Sequence, residues 1–508
     1  MDYLFVCSNN SQLKKLNIPF TSRVYTSAKK YIESSAEINS NQFIAASDLW
    51  GINTHYWYHN DHVFICSNSI TQIKAEIKNI EIDRESIYDI LFLGFPYEGK
   101  SLYKNIRRLK ANEKLNFDIN EFKLSIRGEN GLDNFYNSGE IEYDPDSLKK
   151  IFDDNYNGTE DISPFMTLSS GSDTRVILSI LLHYDILPEA IVFGDGRSIE
   201  LYYAQKLAAK YNIPITVLNS KISPDEYIFE LKKYHSLGNH LVNGQGLHVA
   251  RIFQNKLSSR RKIYLGFLGS QFIKGHFSEV MISPPFKKLL LGAEFDDVFN
   301  YHYNFLSETI KKEFAEYLRD SLLNNLLQES DPRLNIINYL YRNITSTQFG
   351  GLINCAQQQG YEVVIPFLSS DLILYAYKTG HNIIKNISMF EGFNWRKQFL
   401  FQSRMCKLMS DELYSSYLPQ YGGSLKSVTV LPRQICRTRK FLYKQWAKYH
   451  LGRPFFEQIE REYLNNVKKK YLRQNLTRTI LPEIIDPKFI NGLDMVTLDG
   501  LMYLAISG

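Results

Sequence analysis

Little in this sequence points to a membrane, an oxidising compartment or a polyanionic partner. Five cysteines (Cys7, Cys66, Cys355, Cys406, Cys436) in 508 residues are odd in number and widely spaced. No pair has metal-ligand spacing, so reduced thiols without a disulfide framework are expected. No uninterrupted apolar run reaches the ~18–20 residues that a membrane helix needs. The chain opens Met1-Asp2-Tyr3, acidic and followed by only a short apolar run, which predicts no secretory leader and a cytoplasmic protein. An excess of one charge is also lacking. The 59 Lys and Arg against 54 Asp and Glu leave a formal net charge of +5. Spread over this length, that excess predicts neither nucleic acid nor membrane as a partner. Basic clusters at 260–262 and 468–470 read as solvated helix ends and loops. What is present is an ordinary globular composition, 44% hydrophobic and 22% charged, in a chain long enough for two or more cores.

Residues 1–145 carry short β-like runs at 41–47, 54–58 and 62–67, the last two joined by an Asn60-Asp61 hairpin turn. A helix around 72–78 interrupts them. From 128 to 161 the chain is polar and rich in Gly and Asp, with one short helix at 146–152, and this stretch marks a domain boundary. Beyond it the pattern changes. An apolar run at 165–168, a helix, a strand ending at Phe193 and an amphipathic helix presenting Leu201, Ala204, Leu207 and Ala208 lead to another strand at 213–218. Strand–helix alternation of this kind predicts βαβ units and a parallel sheet. Ligands of such sheets sit at the carboxyl ends of the strands. A long helical stretch is expected at 296–329, and a basic, aromatic, helical tail from about Arg437.

The turn Leu168-Ser169-Ser170-Gly171-Ser172-Asp173-Thr174 stands between the first of these strands and its helix. Backbone N–H groups and the positive end of a helix make phosphate its natural guest. The Gly-Lys-Ser/Thr ending of a Walker A loop is missing. Asp173 is placed to cap the first helical turn or to hold Mg²⁺ against a polyphosphate.

This loop resembles the Ser-Gly-Gly-x-Asp-Ser pyrophosphatase loop of the asparagine-synthetase-like family, with Ser170 in place of the first Gly and Thr174 in place of the final Ser. Further segments resemble that family in the same order. Asp48-Leu-Trp-Gly51, the strands around 54–68, and the run from Leu91 to Leu109 are similar to its glutaminase domain. Arg197-Ser-Ile-Glu-Leu-Tyr-Tyr-Ala204 resembles its Gly-Ser-Pro-Asp-x-x-x-Ala turn. The loop from Ile263 to His276 resembles Ser-Gly-x-Gly-x-Asp-Glu-x-x-x-Gly, keeping Gly266 and Gly275 but carrying Ser270 and Gln271 for the acidic pair and Phe267 at the variable position. Glu362, Pro366, Phe367 and Leu368 match Glu-x-Arg-x-Pro-Phe-Leu-Asp, with Val364 for the Arg and Ser369 for the Asp. The segment from Tyr417 to Ser427 is similar to the lysine-bearing loop near the family's C-terminus, and Lys426 is its lysine.

The resemblance implies an α+β N-terminal domain of Ntn-hydrolase-like stacked sheets (1–145). An adenine-nucleotide-α-hydrolase-like α/β domain with a parallel sheet and a helical C-terminal part (146–508) follows. It also implies ATP and Mg²⁺ as cofactors and an amide-forming ligase: a carboxylate is adenylated with release of pyrophosphate, and an amine displaces AMP. Ser169, Ser170, Gly171, Ser172 and Thr174 would cradle pyrophosphate. Asp173 would bind magnesium, with Ser270 at the altered second ligand position. Leu168, Val192, Phe193, Gly194 and Gly266 would line the nucleotide site, Glu362 would orient or deprotonate the amine, and Lys426 would stabilise the transition state.

A glutaminase of this class uses an N-terminal cysteine whose own α-amino group is the base. Here Cys7 lies in an apolar run and reads as a packed core thiol, so a non-glutamine amine or ammonia is the expected nitrogen source. Relatives that fit better than asparagine synthetase itself are β-lactam synthetases, lasso-peptide cyclases and amidotransferase-like proteins of polysaccharide clusters. The substrates would be a small-molecule, peptide or sugar carboxylate and an amine, with a homodimer or a partner enzyme as the assembly. The competing class is a catalytically degenerate binding or partner subunit, suggested by Ser170, Phe267, Ser270, Gln271 and Ser369. A different ATP-pyrophosphatase chemistry, such as tRNA thiolation or NAD synthesis, is the third reading.

Overall fold

The computed structural model of the protein describes residues 2–9, 13–53, 55–128, 139–159, 163–193, 198–218, 223–236, 262–273, 283–290, 292–330, 332–358, 360–381, 395–419, 422–446 and 456–475, with isolated positions from 490 to 506. Among them are strands β1 (Leu4–Ser8), β2 (Leu13–Leu16), β3 (Phe20–Tyr25), β4 (Tyr31–Asn39), β5 (Gln42–Ala46), β6 (Tyr56–His59), β7 (Val63–Ser67), β8 (Ile106–Arg108), β9 (Glu113–Asp118) and β10 (Lys123–Gly128). Strands β11 (Phe165–Thr167), β12 (Glu189–Phe193), β13 (Ile215–Leu218), β14 (Lys262–Tyr264) and β15 (Glu362–Val364) follow.

The first half is antiparallel; β7 is covered on both faces, Phe64 and Cys66 packing into one cluster and Ile65 into another, whereas outer strands alternate. In β9 Leu115 and Phe117 point inward while Lys114 is exposed. One sheet runs β2-β1-β7-β6-β8, and it packs against strands β4, β5 and β9 of a second. Phe5 stacks on Phe43 at 4.3 Å between ring centres, and Phe64 on Phe117 at 4.1 Å. Cys7 is buried in this layer, and burial raises its pKa, as expected of a core thiol. The Asn60 turn forms as its sequence predicts, its side-chain oxygen accepting from the His62 and Val63 amides at 2.9 and 2.8 Å.

The second half is parallel. Strands β14, β11, β12 and β13 pair in that order, with the helices Ser172–His183 and Ile199–Lys210 as the crossovers after β11 and β12. Ala190, Ile191 and Val192 are all buried, as a strand covered on both faces requires. The two halves share a single ten-stranded mixed sheet, β10-β9-β5-β4-β3-β15-β14-β11-β12-β13, joined where Tyr25 pairs with Val364. The molecule is therefore α+β with a sheet continuous across the polar stretch that the sequence marks as a boundary. Within that stretch residues 145–156 form a helix capped by Asp144, and its Phe152 lies in the core.

A buried turn reinforces the junction. Asp48 accepts hydrogen bonds from the amides of Trp50 (3.0 Å), Ile52 (3.1 Å) and Asn53 (2.8 Å) and from Ser34 Oγ (2.9 Å). So satisfied, the carboxylate is tolerable without a cation. It holds the fully buried Trp50, whose Nε1 donates to the carbonyl of Leu368 at 3.1 Å and whose ring lies 4.8 Å from that of Phe272. The expected long helix at 296–329 is broken at Tyr303–Ser307 into Phe295–His302 and Glu308–Tyr317 and the segments after it. No helix among the described residues is long and apolar enough to cross a membrane.

Candidate functional site

Strand β11 lies between β12 and β14 with all three parallel, so its carboxyl end opens at the middle of the parallel half. Leu168 still belongs to the sheet, its amide donating to the Ile191 carbonyl at 2.9 Å. The chain then turns on its own hydroxyls. Ser169 Oγ accepts from the Gly171 amide at 3.1 Å and pairs with Thr174 Oγ1 at 3.1 Å. Gly171 is the N-cap of the helix Ser172–His183 and has no side chain to satisfy the first-turn amides. The hydroxyls of Ser170 and Ser172, each residue only 1% exposed, have no hydrogen-bond partner among the described residues. An unpaired buried hydroxyl costs of order 1–3 kcal/mol, so two on one anion-seeking loop call for an explanation.

Asp173 is not the N-cap that its position in sequence suggests. It is the second residue of the helix, and its carboxylate reaches across to other elements. Ser270 Oγ donates to Oδ2 at 2.9 Å, and Gln402 Nε2 donates to Oδ1. Ser270 thus occupies the expected place of a second carboxylate but bonds the first one as a neutral donor. Gln402 comes from the helix Trp395–Met409, is fully buried, and leaves its Oε1 without a partner among the described residues.

The third loop is pressed tightly onto the first. A Cβ on Gly266 would lie 3.2 Å from Thr174 Cγ2, and one on Gly269 would lie 2.8 Å from both Asp173 Oδ1 and the Phe367 ring. Phe267 packs its ring 5.4 Å from that of Phe349. Beside the loop, β12 ends with Val192 buried and Phe193 half-buried; Gly194 lies outside the described residues, as does Gly275.

The structure does not bring two of the expected residues to this place. Glu362 is exposed and opens β15, in register with Lys262 at the start of β14. The loop follows the other end of the parallel strands, so the motif match at Glu362 puts a carboxylate at the wrong end of the sheet for a base here. Lys426 is exposed in the first turn of the helix Leu425–Val430. Ser369, in the place of a family Asp, caps the helix Ser370–Ala376 by accepting from the Leu372 amide.

Three residues were not legible as site residues in the sequence: Gln402, Gly269 and Arg175. Arg175, two residues past Asp173, is buried. Its Nη1 donates to Ser416 O (2.9 Å), Ser416 Oγ (2.6 Å) and Tyr417 O (3.1 Å), while its Nε has no partner among the described residues. Burial pulls its pKa down to about 10, still cationic at neutral pH. This cation anchors the C-terminal segment before Lys426 to the loop helix.

Among the described residues no three of His, Cys, Asp and Glu gather as a metal site. One carboxylate is enough for Mg²⁺ that arrives on substrate phosphates and keeps its waters. The donor set therefore fits a metal carried in by a nucleotide and does not fit a resident ion. No protein-family model matches the chain, and no curated protein matches it.

Proposed function

We propose that the Ser169–Thr174 loop binds the polyphosphate of ATP, and that the chain is an asparagine-synthase-like ligase that adenylates a carboxylate and passes it to a non-glutamine amine. The observation that carries this reading is the pair of buried hydroxyls, Ser170 Oγ and Ser172 Oγ, left open at the carboxyl end of a central parallel strand beside an uncapped helix N-terminus. Phosphate oxygens would satisfy both hydroxyls and the first-turn amides together. Asp173 would hold Mg²⁺ on the incoming nucleotide, and the ion would supply charge neutralisation at the leaving pyrophosphate.

On this reading the parallel half (146–508) is adenine-nucleotide-α-hydrolase-like. The stacked antiparallel sheets (1–145) are an Ntn-hydrolase-like domain kept for its scaffold, since Cys7 is buried there. The protein acts in the cytoplasm on a small-molecule, peptide or sugar carboxylate, with a second copy of itself or a separate enzyme beside it. Arg175 holds the C-terminal segment against the loop helix rather than facing the nucleotide, and the base is a group other than Glu362.

A second reading has its own support. Both oxygens of Asp173 already accept from neutral donors, and the second carboxylate is a hydroxyl. Those features favour a subunit that binds nucleotide without turnover. Calorimetry with Mg·ATP on the wild type and Asp173→Asn tests the binding. Saturable, magnesium-dependent binding lost in the variant is expected, and no binding at millimolar nucleotide sinks both readings. Pyrophosphate release in the presence of candidate carboxylates then separates the ligase from the binding subunit.

A further inference from the structure

The chain's weak net charge hides a strong local one. Between 413 and 446 there are six basic residues (Lys426, Arg433, Arg437, Arg439, Lys440, Lys444) and neither Asp nor Glu, an excess larger than the +5 of the whole protein. Most of them fall on the helix Arg433–Trp446. One side of that helix is held down: Cys436 is buried, and the ring of Tyr443 lies 5.5 Å from that of Tyr417 and 5.9 Å from that of Tyr203. Gly422 passes so close beneath that a Cβ there would lie 2.5 Å from the Cys436 carbonyl.

The side about a quarter turn away carries what a surface helix ordinarily hides, although the Trp446 ring lies 5.7 Å from that of Tyr443. Ile435, Leu442 and Trp446, spaced seven and four apart, share one stripe of the helix and are 41%, 59% and 45% exposed. Phe441 and, just before the helix, Val430 are exposed as well. Arg439 is exposed next to this stripe, and Arg437 is exposed on the opposite, polar face of the helix.

We infer that this helix lies on an anionic lipid surface, its apolar stripe at the headgroup boundary, Arg439 beside that stripe and the positive charge of the segment drawn by the lipid charge. A cationic helix with exposed Leu, Phe and Trp is what such a surface binds. A nucleic acid would use the cations but gain nothing from an Ile–Leu–Trp stripe, since phosphate contacts are electrostatic. The inference is independent of the nucleotide site, and it replaces the expectation from net charge alone that no membrane is involved.

Flotation of the full chain with phosphatidylcholine vesicles, with and without phosphatidylserine, tests it. Two variants accompany the wild type, R437E/R439E and L442S/W446S, and all four side chains are exposed, so unchanged melting temperatures are expected. Binding should require phosphatidylserine. It should fall at least about twentyfold in R437E/R439E, at roughly fivefold per charge lost, and at least about tenfold in L442S/W446S. No binding to either vesicle overturns the inference, as does binding that neither pair of substitutions weakens. Duplex DNA bound as tightly as the anionic vesicles, with L442S/W446S indifferent, would make the helix a general polyanion site instead. A concentration-dependent dimer abolished by L442S/W446S, without vesicle binding, would assign the stripe to a second copy of the chain.

Discussion

Each half of the molecule buries a small cluster of polar side chains, and the two clusters are finished differently. In the antiparallel half, Tyr3 Oη lies 2.8 Å from His55 Nδ1 and 3.2 Å from Cys66 Sγ, and His55 Nε2 lies 3.0 Å from the Ala46 carbonyl. A carbonyl only accepts, so Nε2 carries the proton and Nδ1 accepts from the tyrosine, which in turn accepts from the thiol. Each of these atoms has a partner. Burial drives the pKa of His55 down to about 4 and that of Cys66 up to about 12, so all three groups stay neutral. In the parallel half, Ser170, Ser172 and Gln402 each keep a buried polar atom unpaired among the described residues, around a single carboxylate. A closed cluster specifies a fold. On the proposed reading the open one at a strand end receives phosphate, and the contrast can be broken experimentally from either side.

The largest expected effect is on acid stability. The folded pKa of His55 lies below its unfolded value of 6.5, so its contribution is present above 6.5 and lost as pH falls towards 4. A shift of that size is worth about 3 kcal/mol. Asp89 opposes it. Burial outweighs Lys100, Tyr317 and the Tyr97 amide and raises its pKa from 3.8 to about 6. Its contribution is therefore present below 3.8 and lost as pH rises through 6. The wild type should look nearly flat between pH 6.5 and 4, whereas Asp89→Asn should lose about 3 kcal/mol across that window in urea titrations. A flat profile in the variant would mean that His55 is not held neutral. Next in size, Tyr3→Phe leaves Nδ1 of the buried imidazole without a donor and should cost about 1–3 kcal/mol at neutral pH. A near-neutral result would show that the chain is not closed as described.

How much of this was legible in the sequence follows from how local each feature is. Strands β5, β6, β7, β11 and β12 and the loop after β11 lie where alternation, apolar runs and small residues place them, because those signals are carried within a few residues. The pairing of Tyr25 with Val364 is not local, so one sheet running through both halves had no signature. Gln402 meets Asp173 across 229 positions, and a single Gln in a helix looks like any solvated residue. Glu362 was legible as a motif and misleading as a site, because a motif says nothing about which end of a strand faces the loop. The tail from about Arg437 was legible as basic, aromatic and helical, but its sequence alone does not say which apolar side chains the fold leaves exposed.

Gln402→Glu sharpens the comparison by changing the open cluster's charge. The substitution removes the amide donor to Asp173 and sets a second carboxylate against it, so without metal the protein should lose about 1–3 kcal/mol. Mg²⁺ should restore most of that loss, because two carboxylates clamp it better than one. Melting curves with and without millimolar MgCl₂ read this directly. A melting temperature that ignores Mg²⁺ in the variant would show that the Asp173 pocket cannot admit a cation.

The smallest stability effect belongs to Ser170→Ala and Ser172→Ala, and it discriminates best between the two kinds of cluster. Neither hydroxyl has a hydrogen bond to lose among the described residues, so each variant should unfold within about 0.5 kcal/mol of the wild type or slightly above it. The same change in the closed cluster, Tyr3→Phe, is costly. If phosphate fills the gap, the alanine variants should pair unchanged melting with weakened ATP binding, about fivefold to tenfold for each neutral hydrogen bond lost. Weak binding with intact stability identifies hydroxyls kept for a ligand. Full affinity in both variants would return Ser170 and Ser172 to the fold and move the nucleotide site elsewhere.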